Sequence, residues 1–149
     1  MESKTEPVAQ RKVLVVDDEH LVLETLGAML TTAGYRVTCV PTGAGALAAA
    51  RLAVYDAALI DVFMPEMDGF ETALRLREQS ERRGRPIRMW HITGRNSPEV
   101  EKRSAQCGMM GLIAKPFSLA QLCARIEAGL SMPAPVIAPD ATSTSSPSA

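Results

Sequence analysis

VLVVDDEHLVLETLGAMLTTAG, residues 13–34, changes its hydrophobic period partway along. Val13 to Val16 is an unbroken apolar run, β-branched except for Leu14, and suits a strand covered on both faces. From about Leu21 to Ala33 the pattern becomes helical. Val22, Leu26, Met29, Leu30 and Ala33 recur on one side, and Gly34 can serve as the stop. A strand that runs directly into an amphipathic helix is a βα unit. The pattern repeats outward from here. Arg36 to Val40 reads as a second strand, followed by an Ala-rich helix from Gly45 to Val54 around Leu47. Ala57 to Ile60 is the third strand and delivers Asp61 at its end. Asp68 caps a helix through about Gln79, with Phe70, Ala73, Leu74 and Arg77 on one side. Pro86 introduces a strand, Ile87 to Ile92. Ser97-Pro98 starts the fourth helix, which ends near Gly108. Gly111 to Ala114 is the last strand. The last helix runs from Ser118 to about Gly129, with Leu119, Leu122, Ile126 and Leu130 inward. Five βα units predict a parallel sheet with helices on both faces.

The rest of the composition sets limits. The folded unit is expected at 11–130, between a polar lead-in (1–10) and a Pro/Ser/Thr-rich tail or linker (131–149) too poor in apolar pattern to fold alone. Of the 149 residues, 46% are hydrophobic and 22% charged, an ordinary globular balance. A formal net charge of -1 gives no general drive toward nucleic acid or anionic membrane. Arg82, Arg83 and Arg85 read as a local charged surface. Cys39, Cys107 and Cys123 form no motif, and an odd count without a secretory signal points to a reducing, cytoplasmic setting. No apolar run approaches membrane-spanning length.

In a doubly wound sheet, ligands bind beyond the carboxyl ends of the strands. Here those ends carry Asp17-Asp18, Asp61, Thr93 and Lys115, while the second strand leads only into Pro41-Thr42-Gly43. Three carboxylates in one crevice repel, so a cation must compensate or their pKa values must rise. A hard divalent ion suits them, and Mg²⁺ (with Mn²⁺ as the alternative) matches carboxylates plus phosphate best. The set makes sense for phosphoryl transfer: Asp61 as nucleophile, Asp17 and Asp18 as metal holders, Lys115 and Thr93 on the remaining oxygens.

These residues lie in VLVVDDE (13–19), LIDVFMPEMDG (59–69), ITG (92–94) and AKPF (114–117). In that order and spacing the sequence resembles the receiver domain of two-component response regulators, from the first strand to the last helix. The resemblance implies a flavodoxin-like (βα)5 three-layer sandwich with strand order 2-1-3-4-5. It also implies that Asp61 is the phosphoacceptor. Asp18 would ligate the metal directly, Asp17 often through water, and Phe63 through its backbone carbonyl. Thr93 would be the switch hydroxyl, Lys115 its ionic counterpart, and Lys115–Pro116 a cis peptide. The chain would take phosphate from the phosphohistidine of a sensor histidine kinase or phosphotransfer protein. It would then lose it by self-catalysed hydrolysis and signal to a downstream protein. It would be a single-domain regulator or a receiver segment of a hybrid kinase or longer regulator.

Three positions depart from the family pattern. Leu112 stands where an aromatic switch residue is usual, so output must travel by backbone shifts or another side chain. Phe63 and Arg95, two residues after Asp61 and Thr93, are bulky enough to shield an acyl phosphate. His91, on the same strand face as Thr93, reads first as a packed, hydrogen-bonded histidine and second as a switch element.

Rival classes are weaker. A degenerate receiver acting as a phosphorylation-independent interaction module would not need all five central side chains. An aspartate-nucleophile phosphatase needs a second carboxylate where Phe63 stands. A nucleotide or flavin carrier lacks its glycine-rich loop, and Gly43-Ala44-Gly45 does not supply one. Two histidines without thiolate spacing do not make a zinc site.

Overall fold

The computed structural model describes residues 11–133; the expected lead-in, 1–10, and residues 134–149 of the expected tail lie outside the described residues. Five strands and five helices alternate: β1 (Lys12–Val16), α1 (His20–Thr32), β2 (Arg36–Val40), α2 (Gly43–Leu52), β3 (Ala57–Asp61), α3 (Gly69–Arg82), β4 (Arg88–Thr93), α4 (Pro98–Gln106), β5 (Gly111–Ala114) and α5 (Leu119–Leu130). The strands form one parallel sheet in the order β2-β1-β3-β4-β5. This is the expected doubly wound topology.

Alternation along each strand builds two cores. Leu14, Val16, Ala58, Ile60 and Met89 face the side where α2, α3 and α4 supply Ala46, Ala73, Leu76 and Val100. Val13, Val15, Leu59, Trp90 and Ile92 face Leu23, Leu26 and Leu30 of α1, and Leu122 and Ile126 of α5. A sheet covered on both faces needs runs with no polar position, which is why Val13–Val16 is apolar throughout. Full burial of each such Leu, Ile or Val contributes roughly 1.5–3 kcal/mol.

Several local expectations need correcting. Helix α2 begins at Gly43, because the Thr42 side chain caps it by accepting from the Gly45 N–H, and it ends at Leu52, where Ala53 is already extended. Helix α3 continues to Arg82, and Leu74 lies on its solvent side, 47% exposed. On α1 the buried stripe is Leu23, Leu26 and Leu30, and Met29 is only half-buried. Strand β4 is shifted by one residue, to Arg88–Thr93. The two glycine stops, after α1 and α4, follow the sequence closely. Gly34 and Gly108 take positive φ values of 105° and 77°, conformations that cost other residues a steric penalty.

Side chains tie the layers together. Arg83 donates to the carbonyls of Ala50 and Arg51, both at 2.7 Å, and Gln79 to Leu47 O at 3.3 Å, so the ends of α2 and α3 are cross-linked. Tyr35 donates to Glu127, which also pairs with Arg11 at 3.2 Å. Residues 131–133 belong to the expected tail, yet Met132 O accepts from Arg88 Nε and Nη2 at 3.0 and 2.8 Å. Among the described residues no helix is long and apolar enough to cross a membrane.

Candidate functional site

The crevice beyond the carboxyl ends of β1, β3 and β5 gathers the charged residues. Asp17, fully buried, follows β1; Asp61, 6% exposed, closes β3. Oxygens of Asp17, Asp18 and Asp61 all lie within 4.8 Å of one another. Lys115, just past β5, places Nζ 3.0 Å from Asp17 Oδ2, 3.7 Å from Asp61 Oδ1 and 3.8 Å from Glu19 Oε1. Asp17 also accepts from the Glu19 N–H at 2.9 Å, which fixes the turn into α1. The Lys115–Pro116 peptide is cis.

The electrostatics follow from this crowding. Burial, then the charge of Asp17, pushes Asp61 up to about 7; Lys115 pulls it down, and Asp18 and Glu19 push it further up. For Lys115, burial works against the charged form. The Asp17 hydrogen bond and the nearby carboxylates prevail, and its pKa is raised. One lysine therefore does not balance the site. An oxygen-lined cluster with excess negative charge suits a hard divalent cation, which would return Asp61 to its ionised form.

The other expected residues surround this cluster. Thr93 ends β4, one residue beyond the Asp61–Ile92 pairing, and its hydroxyl accepts from the Arg95 N–H at 3.0 Å. Phe63 is 45% exposed, and the Arg95 guanidinium sits over its ring at 5.3 Å. Leu112, half-buried, pairs in register with His91. His91 is fully buried and bonded at both ring nitrogens, to Ser104 Oγ and Gly69 O, each at 2.8 Å. It stands outside the acidic cluster. Gly69 is placed by close approach: a Cβ there would lie 2.1 Å from Asp61 O. Its N–H donates to Val62 O at 2.8 Å.

Sequence reasoning missed two residues that contact the expected ones, Glu19 beside Lys115 and Ser104 beside His91. Glu19 follows the acidic pair and faces Lys115; its adjacency to that pair was the available signal. Ser104 lies in the last turn of a polar helix, where nothing local distinguishes it from solvated neighbours.

Residues 13–127 match the family model described as response regulator receiver domain. The chain is 37% identical over 117 residues to the transcriptional regulatory protein TcrA of Mycobacterium tuberculosis, covering 78% of this chain and 45% of TcrA. It is 36% identical over 115 residues to hybrid signal transduction histidine kinase L of Dictyostelium discoideum, covering 74% of this chain and 7% of that protein. It thus spans less than half the length of these curated relatives. Among solved structures, chemotaxis protein CheY4 of Vibrio cholerae superposes with a TM-score of 0.74 at 33% identity, over 80% of this chain and 98% of that one. The signal receiver domain of a histidine kinase from Syntrophus aciditrophicus superposes with a TM-score of 0.72 at 30% identity, over 81% and 90% of the two chains.

Proposed function

The chain belongs to the response regulator receiver domain family, the phosphorelay signalling modules, and from that premise we propose that Asp61 is its phosphoacceptor. The observation that carries the reading is the convergence of Asp17, Asp18 and Asp61 with Lys115 at the carboxyl edge of the sheet. Asp17, Asp18, Asp61 and the Phe63 backbone carbonyl would hold Mg²⁺. When bound, the ion supplies positive charge to the phosphoryl oxygens and lowers the pKa of Asp61.

The chain's own groups then divide the work. An Asp61 carboxylate oxygen attacks phosphorus in the phosphohistidine of a kinase or phosphotransfer protein. The O–P bond forms as the P–N bond breaks, and the imidazole leaves. Lys115, held beside Asp61 by Asp17, neutralises an oxygen of the transferred group, and Thr93 offers its hydroxyl to another. Water then attacks phosphorus: a new O–P bond forms as the bond to Asp61 breaks, which releases inorganic phosphate carrying the water's oxygen and protons and restores the carboxylate. The phosphorylated state shifts the population of a surface read by a downstream protein.

The test is intact mass over time with Mg²⁺ and a small phosphodonor, then with a histidine kinase phosphodonor, beside an Asp61→Ala control. One added phosphoryl group, absent from the control and from a metal-free sample, supports the reading. Failure with both donors favours the phosphorylation-independent interaction module.

A further inference from the structure

Helix α4 buries Val100 and Ser104, and its C-cap residue Cys107 is buried as well. Ser104, Cys107 and Arg103 reach, directly or through His91, the two residues that open α3 where the loop from Asp61 ends, Gly69 and Phe70. The Ser104 hydroxyl bonds His91 Nδ1, whose Nε2 bonds Gly69 O. The Cys107 thiol points at Phe70 O, 3.7 Å away. The Arg103 guanidinium lies 4.1 Å from the Phe70 ring centre. Phe70 in turn meets the His91 ring edge-on, at 5.2 Å and 72°.

The direction of each hydrogen bond follows from the atoms. A carbonyl oxygen only accepts, so His91 Nε2 carries the proton given to Gly69 O. Burial lowers the His91 pKa and keeps the ring neutral, which leaves Nδ1 as acceptor and Ser104 Oγ as donor. The chain of contacts is Ser104, His91, Gly69 and then the Asp61 backbone, against which Gly69 is set with no room for a Cβ. Leu112, beside His91 in register, offers no polar atom to this path.

We propose that His91 is a positioning residue that couples the Asp61 loop to α4 through Gly69 O and the Ser104 hydroxyl. A shift of the loop on phosphorylation moves Gly69 O. The imidazole, bonded at both ends, passes that movement to α4. The proposal deepens the phosphoacceptor reading and rests on it.

The experiment is amide hydrogen exchange across residues 98–106, with and without Mg²⁺ plus beryllium fluoride, an analogue of the phosphoryl group. Uptake of the anion is measured separately by calorimetry. In the wild type, loading changes exchange in α4 by about tenfold. In Ser104→Ala the loading-induced change falls below about twofold, while the half-saturating anion concentration stays within about threefold. Ser104→Thr, which keeps the hydroxyl, restores the response. His91→Gln keeps an amide donor toward Gly69 O but has a methylene where Nδ1 accepted from Ser104, and behaves as Ser104→Ala does. If Ser104 merely stabilises α4, Ser104→Ala raises exchange equally in both states and leaves their ratio unchanged; that result overturns the proposal. So does a wild-type α4 that takes no notice of loading. Wild-type protein that does not take up the anion overturns the phosphoacceptor reading, and this proposal with it.

Discussion

Replacing Asp61 with Asn should stabilise the metal-free protein, by an amount that depends on pH. Asn has nearly the same shape and removes only the charge. Asp61 has a folded-state pKa of about 7, raised by burial and the Asp17 carboxylate; in the unfolded chain an aspartate titrates near 3.9. For an acid with a raised folded pKa, the native state binds more protons between those two values. Stability therefore falls as pH rises from about 4 to about 7, then levels off. At roughly 1.4 kcal/mol per pH unit the full span corresponds to about 4 kcal/mol. The crevice is open on the Asp18 side, so solvent screening reduces this to about 2 kcal/mol. Urea unfolding in chelator should then show the two proteins closest at about pH 4 and separated by about 1 M in midpoint at about pH 8, with Asp61→Asn the more stable. Mg²⁺ should narrow that gap, because it stabilises the three-carboxylate site more than the two-carboxylate one. A midpoint difference that does not change with pH would refute the claim that crowded charge dominates this crevice.

Two further outcomes follow from packing. Phe63→Asn removes the ring beneath Arg95 and should speed loss of the phosphoryl group about threefold to tenfold, read as the mass decay after donor removal; an unchanged lifetime would sink the shielding idea. Gly129→Ala puts a Cβ 2.3 Å from Trp90 Cζ2 and should lower stability by about 1–3 kcal/mol in urea unfolding, with little change in Mg²⁺ affinity.

The elements were legible in the sequence because local chemistry sets them. Val13–Val16 reads as a doubly covered strand without tertiary knowledge, Asp68 and Ser97 sit at the caps their side chains announce, and Ser118, read as the first residue of the last helix, is its cap. The residues beyond the strand ends could be listed from chain order alone, since the doubly wound topology brings those ends to one edge. What failed depends on neighbours far away in sequence. Leu74 has the spacing of a buried residue, but the inward arc of α3 is taken by Ala73, Leu76, Arg77 and Ser80. The start of α2 moved because one hydroxyl, on Thr42, outweighed the weak preference of two glycines. His91 reads from the sequence as a packed, hydrogen-bonded histidine and is one, but its partners lie 13 and 22 positions away, and no periodicity encodes them.

The Arg83 cross-link has a practical consequence. Because one guanidinium grips the end of α2 from the end of α3, those two helices form a common reference frame, against which displacement elsewhere can be gauged. A spin label at Leu74, exposed on that frame, and a second on the outer side of α4 would make a molecular ruler. A change in its length would report displacement of α4 relative to that pair of helices.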